Sequence, residues 1–422
     1  MKIAIFTDVF LPYISGVTIS TNNLALSLEK KDIEVEVFTP APHKKIKVPK
    51  TIGKNIKINY FKSVKTFIYP DMRASLPISI KYINMFRKEN FDLIHFMTPG
   101  AMGQAAIYFS RIFKLPLVQT FHTFIADKSC LKHTKLDKIP KVVFLAWKFV
   151  NYFVNQCDVV STPSRYAQNE LIKHGAKVFT TAISNGINVR GYSKIQKTRG
   201  DVKKSFSFFD ENTFIYFGRI SVEKSIPILI QGFAKAISKQ SKLKLVIVGD
   251  GPDLNYLRNY VKQLKLEKNI FFTGRINNDE LMNSGIIHNS IAFITASKVE
   301  TQCMTGMEAI AAGIPIIVAN ATGSTELVKN NGFTFKPDGT SDLARKILNL
   351  FNDKDLQKEL KQHCKENRYL YDNATVVREW ILLYEMIINM HKQKKGKKNL
   401  LFKKLDKKTL QEENVRLSRI PI

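Results

Sequence analysis

The feature that most constrains this 422-residue chain is a series of short apolar runs, each ended by turn residues and followed by a helical stretch, which occurs twice. The first series is KIAIF, VEVFT, LIHFM, LVQTF and VVSTP; the second is TFIYFGR, KLVIVGDG, IFFTG, IAFITAS and PIIVAN. Runs that are apolar throughout, rather than alternating, mark strands buried on both faces, as parallel strands with crossover helices are. Between the two series ISNGINVRGY brings an Asn-Gly turn dipeptide, and the polar stretch Ser193–Lys204 after it reads as a linker. The chain is also longer than one core usually supports. Two parallel α/β domains are therefore expected, over residues 1–190 and 191–372. REWILLYEMIINM carries apolar residues on nearly every side, so the helix predicted at 373–392 must pack against another element, and it is expected to return to the first domain. The run KQKKGKKNLLFKKLDKK beyond His391 opens a basic tail over 393–422, read as mobile or surface-bound.

Sixty-five basic residues against 36 acidic ones leave a net charge of +29, which calls for an anionic partner: nucleic acid, anionic lipid or a phosphorylated substrate. No nucleic acid is expected, because the common binding motifs and a base-stacking aromatic platform are missing. Cys130, Cys157, Cys303 and Cys364 are scattered without a CxxC pair, which suggests neither zinc nor a disulfide framework and fits a reducing cytoplasm. MKIAIFTDVFLPYISG reads as a first buried strand rather than a signal peptide. The apolar stretch Val142 to Val154 is interrupted by Lys148 and Asn151 and falls short of the ~20 residues that span a bilayer, so the chain is expected to lie on a membrane without crossing it. Two basic and aromatic regions suit anionic lipid: Lys65 and Phe67, with Tyr60, Phe61, Ile68 and Tyr69 nearby, and Lys132, Lys141, Trp147 and Lys148. A solvated helix face over core aromatics is the competing reading.

The sharpest constellation is SKVETQCMTGMEAIAAGIPIIVA, in which Glu300 leaves a strand end and Glu308 sits in the next helix. Unpaired N–H groups at that helix start favour phosphate, and the carboxylates can accept hydroxyl hydrogen bonds from sugar or ribose. Strand ends are also where open α/β sheets bind ligands. Gly16 lies on the loop after the first strand, where a missing Cβ permits close approach to phosphate. Arg219 and Lys224 follow a strand end and could neutralise a pyrophosphate leaving group, or be plain surface charges. His122 could bond a sugar hydroxyl or stabilise positive charge at a reacting carbon, whereas His95 reads as core. Gly249 and Gly251 in VGDGP form a strand-to-helix turn, either contacting ligand or only turning. Asp353-Lys354-Asp355 matches a DxD metal motif but is better read as acidic residues at a helix start.

Taken in order and spacing, FLPYISGV, FHTF, SNGIN, FGRISVEKS, VGDGP, the two glutamates with seven residues between them, AIAAGIPII and ATGSTELV resemble glycosyltransferase family 4. The resemblance implies an α/β GT-B fold, with two Rossmann-like parallel-sheet domains facing across a cleft, a C-terminal crossover helix and a basic tail. It implies retaining transfer from a nucleotide sugar, with Arg219 and Lys224 at the diphosphate, His122 near the donor sugar, Glu300 on sugar hydroxyls and Glu308 on the ribose. The amides of Met304 and Thr305 would meet phosphates and sugar, Arg275 would lie on the base-binding loop, and Gly16 and Gly249 would line the donor. No metal or other cofactor is expected. Within the family, EKS, ETQ and the basic first domain resemble diacylglycerol glycosyltransferases. That implies a UDP-hexose donor (UDP-glucose or UDP-galactose), a diacylglycerol-type acceptor and work at an anionic membrane surface on the cytoplasmic face; phosphatidylinositol mannosyltransferases are the nearest rivals. Cys303 departs from the family's usual Gly and Asn188 from its frequent Asp. Nothing beside Cys303 would activate it as a nucleophile.

Overall fold

The computed structural model describes residues 1–43, 46, 48–65, 73–124, 139, 141–194 and 197–396. Phe67, Ile68, Tyr69, Cys130, Lys132 and the tail from 397 lie outside them. The chain divides into two compact units, Met1–Gly186 with Asn373 onward, and Ile187–Asp372.

The first unit carries β1 (Lys2–Phe6), β2 (Glu34–Pro40), β3 (Thr51–Ile52), β4 (Ile56–Phe61), β5 (Ser63–Lys65), β6 (Arg73–Ser75), β7 (Leu93–Phe96), β8 (Leu117–Thr120), β9 (Val159–Thr162) and β10 (Phe179–Ala182). Its main sheet runs β10-β9-β8-β7-β1-β2-β4-β3, parallel except where β3 meets β4. β5 and β6 form a separate antiparallel pair. Phe6 and Phe38 stack on one face of the sheet with Phe86 and Phe109 from the helices Ile80–Lys88 and Ala101–Phe113. A second cluster joins Ile3, Ile5, Leu93 and Val118 to Leu24 and Leu28 of the helix Gly16–Glu29, and to Val376, Trp380, Tyr384 and Ile387 of the helix Asn373–Gly396. His95, fully buried in β7, bonds the Tyr384 hydroxyl through Nδ1 and Thr120 Oγ1 through Nε2, both at 2.7 Å. Burial pulls its imidazole down to about 3, so it is a neutral core group tying the last helix to the sheet.

The second unit carries β11 (Thr213–Phe217), β12 (Lys244–Val248), β13 (Ile270–Gly274), β14 (Phe293–Thr295), β15 (Ile316–Ala319) and β16 (Gly332–Phe335) in an all-parallel sheet of order β13-β12-β11-β14-β15-β16. The division between units falls at Gly186–Ile187, ahead of the sequence boundary at 190. Ile187 bridges Asp372 and donates to the Tyr371 carbonyl, and the helix Val189–Ser193 starts at once after it. The stretch read as a linker opens with the end of that helix and includes most of another, Arg199–Ser205, which Thr198 and Asp201 cap reciprocally.

Candidate active site

Three neighbouring strands of the second unit bring the sharpest constellation together. After β11 a short 3-10 turn, Val222–Lys224, presents Lys224; the segment after β14 presents Glu300; the loop after β15 presents Thr322. Lys224 Nζ lies 2.6 Å from Glu300 Oε1, with 23% and 13% of the two side chains exposed. Burial works against the ammonium charge, but the Glu300 carboxylate outweighs it and holds Lys224 well above the lysine range. Glu300 is also fixed through its backbone: its N–H donates to Thr322 Oγ1 at 3.1 Å, and its carbonyl accepts from Gly323 N–H at 3.0 Å. Thr322 has φ 61°, a left-handed conformation that costs a β-branched residue about 1–3 kcal/mol and persists only where its surroundings enforce it.

The helix Met304–Ala311 starts just beyond, with Cys303 at its N-cap making no side-chain cap. The positive end of that helix's dipole lies a few residues along the chain from the Lys224–Glu300 pair. Burial, with Glu300 adding to it, pushes the Cys303 thiol up to about 12, which removes it as a nucleophile at neutral pH. Arg219 is exposed and makes no ion pair among the described residues, while the hydroxyl of buried Tyr216 donates to its carbonyl at 2.8 Å. Burial lifts the Glu308 carboxyl to about 7, against the pull of a hydrogen bond from Tyr192.

Gly249 has φ 147°, and a Cβ there would stand 1.9 Å from the Gly218 carbonyl oxygen; one on Gly251 would stand 2.0 Å from the Ile220 carbonyl oxygen. These glycines let the loops after β11 and β12 cross backbone to backbone. Gly249 N–H in turn donates to the Gly274 carbonyl at 2.9 Å, which places exposed Arg275 beside the same loop. Asp353, by contrast, caps the helix Lys354–Asn367 through Leu356 N–H at 2.8 Å, and Asp355 pairs with Lys358 at 2.8 Å on the surface.

The first unit holds Gly16 and His122. Gly16 is the exposed first residue of its helix, which Ser15 caps by accepting from Thr18 N–H. His122 follows β8 and lines a small cavity with Ser20, Thr120, Asn185, Asn373 and Trp380. Burial lowers its imidazole to about 4, so at neutral pH the ring can exchange hydrogen bonds with a hydroxyl but carries no charge to a reacting centre.

The residues read as lipid contacts divide. Lys65, Lys141 and Lys148 are exposed. Trp147 is instead half-buried, stacked on His174 with ring centroids 3.9 Å apart, and Phe61 is buried against Tyr82. The open side of the helix Val142–Val154 consists of Phe144 and Leu145, each 57% exposed, and Phe149 and Tyr152, each 46%, with Lys148 over the Phe144 ring. No described helix is long and apolar enough to cross a membrane.

The family model for Glycosyltransferase Family 4 matches residues 14–190, and that for Glycosyl transferases group 1 matches residues 198–369. The chain belongs to glycosyltransferase family 4. It is a hexosyltransferase with the GT-B fold. Among its curated relatives, the alpha-monoglucosyldiacylglycerol synthase of Streptococcus pneumoniae is 29% identical over 82% of this chain and 78% of its own. The synthase of the same name from Acholeplasma laidlawii is 28% identical over 94% of this chain and 100% of its own. A GDP-mannose-dependent alpha-mannosyltransferase of Corynebacterium glutamicum is 25% identical over 78% of this chain and 74% of its own. Among solved structures, HepE of Anabaena in complex with UDP superposes with TM-score 0.71 at 19% identity, over 92% of this chain and 100% of that one. Sucrose-phosphate synthase of Thermosynechococcus elongatus gives 0.73 at 16%, over 92% and 99%.

The sequence points to Glu300, Lys224 and Arg219 but not to Thr322, whose hydroxyl holds the Glu300 backbone. Thr322 lay inside ATGSTELV, whose recurrence in the family was the one available signal.

Proposed function

We propose that the enzyme transfers glucose or galactose from a UDP-sugar to the free hydroxyl of 1,2-diacylglycerol, with retention, giving an α-monohexosyldiacylglycerol. The Lys224–Glu300 pair at the end of β14, beside the uncapped helix at Met304, carries the donor half of this reading. Arg219, Lys224 and the helix amides supply the positive potential on which a diphosphate leaving group develops charge, so no divalent ion is needed. Glu300, engaged by Lys224, accepts sugar hydroxyls, and Glu308 accepts ribose hydroxyls. The bond from the anomeric carbon to phosphate oxygen breaks as that to the acceptor oxygen forms on the same face, and the acceptor proton passes to the leaving phosphate. The acceptor half rests on the two monoglucosyldiacylglycerol synthases and on the net charge of +29. Phe144, Leu145 and Phe149, flanked by Lys141 and Lys148, suit insertion into an anionic surface, which would hold the enzyme peripherally at the inner face of the cell membrane.

The test is purified full-length protein with UDP-glucose or UDP-galactose, in mixed micelles of diacylglycerol and anionic lipid, with chelator present. A glycolipid formed with one donor supports the class, the sugar and metal independence together. UDP release without lipid product would move the acceptor to another lipid or a glycan. Turnover with GDP-mannose alone would refute the UDP reading and favour a phosphatidylinositol-type mannosyl transfer, which the mannosyltransferase relative keeps as the second reading.

A further inference from the structure

Arg219 is exposed and makes no ion pair among the described residues, so the course of its backbone largely decides where the guanidinium points. We propose that Tyr216 is a positioning residue for the donor diphosphate: its buried hydroxyl fixes the Arg219 peptide, and with it the near end of the loop that carries Arg219 and Lys224. The proposal rests on the reading that Arg219 meets the diphosphate.

Tyr216 is the fourth residue of β11 and is 2% exposed. Its ring stacks against Phe293 of the neighbouring β14, with centroids 6.3 Å apart and the two planes at 18°. That packing fixes the ring, and the hydroxyl at its far end reaches past the strand end to donate to the Arg219 carbonyl at 2.8 Å. A phenol buried among apolar side chains needs such a partner, and Phe would fill the space equally well without one. Burial holds the phenol above the ordinary tyrosine range, so it remains a donor at neutral pH. The backbone of the loop after β12 supplies the flanking bonds: Gly218 N–H donates to the Val248 carbonyl at 3.0 Å, and Ile220 N–H to the Asp250 carbonyl at 2.9 Å. They bracket Arg219 and leave its own carbonyl to Tyr216.

The same hydroxyl borders the helix start. Gly218 has φ 145°, and a Cβ there would stand 3.4 Å from the Tyr216 hydroxyl oxygen and 3.7 Å from Thr305 Cγ2, so the phenol and the first turn of the helix Met304–Ala311 are both neighbours of one glycine. At the far end of the loop, Ser297 Oγ donates to the Glu223 carbonyl at 3.3 Å, and Lys224 pairs with Glu300. The Lys224 end is thus tied by Ser297 and Glu300, and the Arg219 end by the phenol. An arginine donates to phosphate in a fixed fork, so a small tilt of its peptide misplaces it where a lysine's point charge would adapt. Loss of the hydroxyl should therefore weaken the diphosphate contact and spare the contacts to base and ribose.

The test is calorimetric binding of UDP and of UMP to the full-length protein and its variants Y216F, R219A and Y216F/R219A, each checked for native circular dichroism. R219A is expected to weaken UDP at least about tenfold and UMP by less. Y216F should weaken UDP about fivefold and UMP less than about twofold. The double variant should bind UDP as R219A does, because the hydroxyl acts through the guanidinium. Equal weakening of both nucleotides in Y216F, no weakening, or a double variant about fivefold weaker than R219A would overturn the proposal, since the hydroxyl would then serve the fold or the nucleotide pocket as a whole. If the unaltered protein binds no UDP, or R219A binds it as tightly, the diphosphate reading of Arg219 fails first and takes the proposal with it.

Discussion

Lys224→Ala separates two roles that the Lys224–Glu300 pair combines. At 2.6 Å and an effective dielectric of ~20, the Coulomb attraction is about 6 kcal/mol, most of it offset by desolvating both groups. Removing one partner leaves the other charge largely shielded, and with both side chains still partly exposed the expected loss of stability is about 3 kcal/mol. If Lys224 also faces the leaving diphosphate, its removal should lower kcat/KM by about 10²–10³. The assay is urea denaturation and UDP release for K224A, E300Q and K224A/E300Q. The double variant should regain most of the stability lost in K224A, since no unpaired charge remains, while its activity stays at or below the poorer single variant. UDP release by K224A within about threefold of the unaltered enzyme would refute the catalytic role. So would activity that returns with stability in the double variant, because Lys224 would then be only the counter-ion of Glu300.

Gly249→Ala should destabilise the second unit by about 3 kcal/mol in urea melts, whereas Gly274→Ala, with φ 73° but nothing within 4 Å of an added Cβ, should cost about 1 kcal/mol. Glu308 titrates at about 7 when folded against a reference of 4.5. The native state therefore keeps its proton where the unfolded chain has lost it, and this contribution is full below pH 4.5 and lost as pH rises to about 7. E308Q should flatten that fall by about 2 kcal/mol in melts run across the window, and an unchanged slope would show that Glu308 is not shielded. Replacing Phe144, Leu145 and Phe149 together by Ser should weaken sedimentation with anionic vesicles at least about tenfold without changing the melting temperature. Trp147→Ala should instead lower stability by about 3 kcal/mol, because Trp147 packs on His174.

The parallel α/β class could be read from sequence because strands buried on both faces are apolar throughout and recur between turn residues in two series. Orientation within apolar segments could not. The helix Val142–Val154 is apolar nearly all round, so the sequence alone does not say that Val150, Phe153 and Val154 face the core while Phe144 and Phe149 face out. The aromatic residues between Lys44 and Lys88 posed the same problem: Phe61 sits in a strand and is buried, although basic residues surround it in sequence. The compact units part at Gly186–Ile187, on the Asn-Gly turn itself, and a capped helix follows where the polar composition suggests a linker.

The candidate site was legible as a set of residues and illegible as a set of contacts. Lys224 and Glu300 are 76 residues apart, and neither flanking sequence indicates that they meet. Their meeting follows from strand order, since β14 lies between β11 and β15 in a parallel sheet, so the segments after these three strands leave the same edge side by side. Lys224 arrives from the first, Glu300 from the second, and Thr322 from the third. That convergence also accounts for the strained backbone at Thr322, which is tolerated where one hydroxyl fixes the segment bearing Glu300. A Thr322→Gly change would relieve the strain but free Glu300. It should therefore leave stability within about 1 kcal/mol of the unaltered protein in urea while lowering donor turnover, and the opposite pattern would mean that Thr322 serves the fold alone.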